Sequence, residues 1–199
     1  MERLTSFFQV KFVEIIYKLR LEIGSDIIYH DARHTMDVIQ SVERIAVAEG
    51  IDHHSLLLLK IAALFHDTGY LIGPDEHEMG SVNIFREQSI GYTIDEGDLN
   101  TIDELIVATR VPQKPKNHLE AIICDADLDY LGRRDFPVLS EFLYLELLSQ
   151  KRVADRNEWN AIQIQFLESH QFHTDYAREN RAPRKAENVA QLKHRMGIL

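Results

Sequence analysis

Residues 56–65, LLLLKIAALF, carry one charge, Lys60, and would be apolar on nearly every face of a helix. A helix that is hydrophobic all round has to be enclosed by other elements. The run therefore predicts a central, buried helix around which the rest of the chain wraps. It ends on His66-Asp67-Thr68-Gly69, with Gly69 as a natural stop. The remaining periodicity is also helical. Leu4, Phe8, Phe12, Ile15, Ile16 and Leu19 fall mostly at steps of three and four, one apolar stripe on a helix ending near Gly24. A second helix is expected from about Arg33, with Val38, Val42, Ile45 and Ala46 inward, stopping before Gly50. His53 and His54 read as part of a polar segment before the central helix. Further helices are expected over residues 76–87, 99–109, 118–131, 140–149, 157–169 and 186–193, with 112–117 (PQKPKN) as a loop. Sustained period-two alternation and Asn-Gly or Asp-Gly turns are missing. The expected fold is all-α, with residues 1–199 read as a single helical domain.

The balance of charge narrows the partners. Asp and Glu number 32 against 22 Lys and Arg, a formal net charge of −10. Such a chain repels phosphate backbones at long range, so nucleic acid is not an expected partner. The chain has no apolar run of bilayer length, and Glu2, Lys11 and Glu14 interrupt the first residues as a signal peptide would not be interrupted. No membrane partner is expected. One cysteine, Cys124, excludes an intrachain disulfide, fits a reducing cytoplasm and reads as a core residue. The expected location is cytoplasmic, and a homo-oligomer is left open. The basic stretch 181–195 has an apolar stripe at Val189, Leu192 and Met196, so it is expected to dock on the domain.

His66 and Asp67 pose a chemical question. A carboxylate at the end of the most buried helix costs roughly several kcal/mol unless something neutralises it. A divalent cation would do so, with imidazole and carboxylate as ligands. A helix end reaching water is the better explanation of an isolated His-Asp pair. The surroundings favour the cation. Upstream, in residues 29–38 (YHDARHTMDV), His30 and His34 are four apart and would share a face if the helix already includes His30. Downstream, in residues 123–132 (ICDADLDYLG), Asp125, Asp127 and Asp129 sit in an otherwise apolar helix and need a cation or donors. Asp125 and Asp127 are two apart, so one helix cannot easily aim both at one ion. Asp129 reads as a solvent-facing helix residue.

The ordered set YHxxxHT, FHDTGY and DADLDYLG resembles the HD superfamily of metal-dependent phosphohydrolases over about residues 28–132. That family's pattern is an isolated His on one helix, a His-Asp doublet on the next and a distant Asp. The resemblance implies a helical bundle of the HD type with His34, His66, Asp67 and Asp127 as metal ligands, Ala126-Asp127-Leu128 favouring Asp127 over Asp125. Residues 133–199 lie outside it, as a generically helical C-terminal extension. A His/His/Asp/Asp set suits one divalent transition metal, Mn, Fe, Co, Ni or Zn. The implied activity is hydrolysis of a phosphoester in a small phosphorylated metabolite by metal-activated water. A nucleotide is expected from the family and from no particular residue.

The resemblance extends to further residues. His30, in Tyr29-His30, matches the general acid of the cyclic-nucleotide phosphodiesterase branch; a capping or surface role is the alternative. His77 lies where relatives with two metals place a ligand to the second ion, or is an exposed helix start; His118 is a weaker candidate for that role. Asp67 and Glu78 join His30 in the expected catalytic set, although Glu78 would also serve as an ordinary first-turn acid. Thr68 is placed to reach a phosphate oxygen or to cap the helix. Arg33 and Arg110, with Lys114 and Lys116, are candidates for phosphate binding. Two other functions stand beside the leading one: a di-iron oxygenase of the same superfamily, and a non-enzymatic sensing or interaction module in which the metal only stabilises the fold.

Overall fold

In the computed structural model, which describes residues 2–198, the chain is all-α, with no strand among the described residues. The helices are α1 (Glu2–Leu21), α2 (Ala32–Ala48), α3 (His53–Phe65), α4 (His77–Ser89), α5 (Glu96–Ala108), α6 (His118–Asp127), α7 (Phe136–Ser149), α8 (Arg156–Ser169), α9 (Asp175–Asn180) and α10 (Ala182–Arg195). Two 3-10 turns, Thr68–Leu71 and Asp129–Gly132, follow α3 and α6. No helix among the described residues is long and apolar enough to cross a membrane.

The centre is α3, as its apolar run requires. It packs against α1, α2, α4, α5 and α6. Leu59, Ile61, Ala62, Ala63, Leu64 and Phe65 are fully enclosed. Phe7, Phe65 and Phe85 stack or meet edge-on with ring centroids 5.3–6.2 Å apart, tying α1 and α4 to α3. Polar residues set the starts of the helices. The Asp31 carboxylate accepts from the backbone N–H groups of Arg33 and His34, Asp52 does the same for His54 and Ser55, and Asn117 for Glu120. His53 and His54 thus lie in the first turn of α3 rather than in a preceding loop.

Helices α7–α10 form a second apolar cluster, with Leu131, Phe136, Leu167, Phe172, Ala177 and Leu192 at its centre. Tyr29, Leu128 and Tyr130 belong to it too, so the turn after α6 joins the two clusters. Helix α10 packs on that turn and on α8 and α9 through Val189, Leu192 and Met196, the stripe expected to dock.

Three local expectations change. The helix expected over 118–131 stops at Asp127 because the backbone leaves the helical region at Leu128. Helix α9 is an additional short element, capped by Thr174. Gly69 is not a helix stop, since α3 already ends at Phe65. Its role is close approach: a Cβ there would lie 1.9 Å from the backbone oxygen of His77. Gly132 does the same for the C-terminal helices, where a Cβ would lie 2.4 Å from the Arg181 carbonyl.

Candidate metal centre

Three elements that are distant in sequence end at one point. The first turn of α2 supplies His34, the C-terminal end of α3 supplies His66 and Asp67, and the last residue of α6 supplies Asp127. His34 Nε2 lies 3.3 Å from His66 Nε2, 3.3 Å from Asp67 Oδ2 and 3.2 Å from Asp127 Oδ1. His66 Nε2 lies 3.1 Å from Asp67 Oδ2 and 3.6 Å from Asp127 Oδ1. His66 Nδ1 is 2.9 Å from the Ala63 carbonyl. A proton held there leaves the Nε2 lone pair facing the cluster. Gln113 donates to the second Asp127 oxygen at 3.0 Å.

A cation fits these residues. Asp67 Oδ2 is buried and has no hydrogen-bond donor of adequate geometry, an expensive state for a carboxylate oxygen. Donors bound about 2.1 Å from one ion lie about 3–3.5 Å from one another; the His34, His66 and Asp127 atoms are 3.2–3.6 Å apart, and Asp67 Oδ2 lies 3.1–3.3 Å from the two imidazoles. The mixed nitrogen and oxygen set suits a divalent transition metal. Without a cation, protons must balance the charge. Burial alone would lower the His34 imidazole, but the carboxylates of Asp127 and Asp67 outweigh it and hold it at about 9. Burial would raise Asp127, yet His34 and His66 pull it down to about 2. Asp67 is likewise held well below the usual carboxylate range: His66 and His34 override its burial.

Asp125 is excluded from this centre by its contacts. Its carboxylate accepts from the backbone N–H groups of His173 and Thr174 and from the Thr174 hydroxyl, at 2.7–3.1 Å. Asp129 is not solvent-facing as expected. It is buried and paired with Arg44 at 2.9 Å and Arg181 at 2.7 Å, with Arg133 at 3.5 Å. The break after Asp127 lets these carboxylates diverge.

A cavity of about 750 Å³ opens from Asp67 and Asp127. His30, His77, Glu78 and Arg110 line it near the metal centre. His77 Nε2 lies 3.5 Å from Asp67 Oδ1 and 3.5 Å from Glu78 Oε1. Glu78 is buried rather than a solvated first-turn acid, and Arg110 Nε lies 3.4 Å from its carboxylate. The loop before α4 is pinned from two sides, by Arg110 on Glu76 at 2.8 Å and by Arg152 on Asp75 at 2.7 Å.

Five candidates lie elsewhere. Arg33 is turned to Asp31 and to the Ile28 carbonyl, outside the cavity lining. The Thr68 hydroxyl donates to the Phe65 carbonyl at 2.8 Å, a helix-end cap within the core. His118 is half-exposed and pairs with Glu49. Lys114 and Lys116 line a separate groove. Cys124 is core, its thiol pushed up by burial.

The sequence reading missed Glu146. This buried carboxylate on α7 accepts from the backbone N–H groups of Ile28, Tyr29 and His30 at 2.8–3.1 Å and meets His30 Nδ1 at 2.5 Å. Helix α2 starts only at Ala32, so His30 is aligned with His34 by this anchor and by stacking on Tyr70, 4.4 Å between centroids, rather than by a shared helix face. A carboxylate inside the apolar run LYLELL was the signal available.

The helices and the donor cluster define an all-α metal-binding domain. Residues 31–129, which include all four donors, match the family model of the HD domain, and the chain belongs to the HD superfamily of metal-dependent phosphohydrolases. No curated protein and no solved structure matches the chain.

Proposed function

We propose that this chain is a metal-dependent phosphohydrolase that cleaves a phosphoester of a small phosphorylated metabolite. The observation that carries the reading is the meeting of His34, His66 and Asp127, with Asp67 against both imidazoles, beside a ligand-sized cavity that Asp67 and Asp127 line. A divalent transition metal held by these four would supply Lewis-acid polarisation of a phosphoryl oxygen and a lowered pKa for water.

The chain's own side chains have separate tasks. Glu146 accepts from His30 Nδ1 and fixes the ring; in the imidazolium, which carries a proton on each nitrogen, Nε2 is the donor free to give its proton to the leaving oxygen and leave the neutral ring behind. Glu78 lines the same cavity as a carboxylate that orients water and takes its proton, and Arg110 steadies it. Arg110 also offers guanidinium donors to a phosphate once it leaves exposed Glu76. A second metal is supported by Asp67 Oδ1, which faces His77 rather than the first cluster. A nucleotide substrate rests on the family resemblance alone.

The test is release of phosphate or of an organic alcohol from a phosphoester panel by chain loaded with Mn, Fe, Co, Ni or Zn. Metal-stimulated release from some member is expected, and silence across the panel with metal bound overturns the reading. Two iron atoms per chain with dioxygen consumption would favour the di-iron oxygenase. An inactive wild type whose His66→Ala variant unfolds would favour a structural metal.

A further inference from the structure

We propose that the organic part of the substrate is apolar, an alkyl chain or aromatic ring rather than a nucleoside; this rests on the phosphohydrolase reading above. The cavity has two unlike ends. Its charged end holds Asp67, Asp127, His30, His77 and Arg110. The rest of its wall comes mainly from outside the HD match, where Leu131, Phe136, Leu143, Leu147, Ile162 and Phe166 face it from the turn after α6 and from α7 and α8. A volume of about 750 Å³ exceeds what a phosphate needs and suits a ligand of drug size.

Arg152 also lines this wall and pairs with Asp75 at 2.7 Å, and two further polar groups along the apolar stretch are engaged with the protein. The Gln163 amide nitrogen donates to the Ser140 hydroxyl, and the Thr109 hydroxyl donates to the Ile106 carbonyl at 2.8 Å. The Tyr130 ring packs against Tyr29, 5.5 Å between centroids. A nucleobase brings several donors and acceptors that would lose water there and find little in exchange. Each such unpartnered group weakens binding about five- to a hundredfold. The Trp159 and Phe166 rings would stack on a base, but stacking leaves its edge groups unmet. An amphiphile matches the lining: its phosphate meets the metal centre and Arg110, and its apolar part meets α7 and α8.

Trp159, the chain's one tryptophan, lines this wall and reports binding directly. The experiment titrates its fluorescence in metal-free and metal-loaded chain with non-hydrolysable n-alkylphosphonates from ethyl to decyl, and with adenosine and uridine phosphonates. Affinity should rise about fourfold per methylene until the cavity fills. Leu147→Asn and Ile162→Asn should flatten that rise. Ile162 is 43% exposed, so its variant remains informative if Leu147→Asn fails to fold. A flat response to chain length, or nucleoside phosphonates binding more tightly than octylphosphonate, would overturn the proposal. Hydrolysis of the matching alkyl phosphates is measured separately. Chain-length-dependent binding with silence across the whole phosphoester panel keeps the apolar-ligand inference and sinks the phosphohydrolase reading. Nucleotide hydrolysis without alkyl binding does the reverse.

Discussion

Helices α1–α6 and helices α7–α10 bury their apolar residues in separate clusters and use buried carboxylates differently. At the end of α3, Asp67 and Asp127 meet imidazoles and leave an oxygen with no hydrogen-bond donor, an arrangement that a cation completes. Across the junction, carboxylates fasten one region to the other. Glu146 on α7 captures the backbone before α2, Asp125 captures the backbone before α9, and Asp129 gathers Arg44, Arg133 and Arg181. The first region supplies the candidate metal centre; the second supplies His30's anchor and most of the apolar wall. On the proposed function, chemistry and substrate choice would have different structural owners.

The sharpest way to break that division is at its reactive end. His66→Ala should reduce bound metal by elemental analysis and lower hydrolysis at least about a thousandfold, with helicity retained by circular dichroism. Asp129→Ala leaves the three arginines without their shared partner, and denaturant unfolding should show a loss of about 2–4 kcal/mol, with the metal site still able to load. Loss of metal affinity in that variant would mean that the two regions are not separable.

Glu146→Gln keeps the shape of the anchor and removes its charge. Turnover should fall about a hundredfold in kcat, with metal content unchanged and the pH profile of kcat shifted. If the profile stays put, Glu146 holds only the backbone. Acidity sharpens the comparison from the other side. The folded His34 value, about 9, lies above the ordinary 6.5, so its protonation stabilises metal-free chain fully below about pH 6.5 and is lost as pH rises through 9. Asp127 runs oppositely: its contribution is present above 3.8 and is lost as pH falls through about 2. Melting of metal-free chain should therefore fall as pH rises from 6.5 to 9, and saturating metal should flatten that fall. The smallest effect is expected at Thr174→Ala, which removes the α9 cap and one donor to Asp125. It should cost about 1 kcal/mol in thermal unfolding and leave activity near wild type.

Residues 56–65 announced a central helix because a helix apolar on nearly every face has to be enclosed by other elements. His34, His66 and Asp67 were legible for a related reason: ionisable groups at the end of such a helix need a partner, and their order along the chain matched a family pattern. The aspartates at 125, 127 and 129 marked the right segment but not its geometry. Periodicity assumes that a helix continues, whereas this one breaks after Asp127 and sends each carboxylate to a different neighbour. Glu146 lies more than a hundred residues from His30, and local patterning carries no information about which distant backbone a buried carboxylate will meet. The apolar side of the cavity was hidden likewise, because α7 and α8 read only as generic helices until packing turned Leu143, Leu147 and Ile162 toward the metal centre's cavity. Sequence determined which residues had to be buried and which of those needed charge compensation. Only the tertiary structure decided the partners, because compensation is a contact through space and depends on where each chain segment comes to rest.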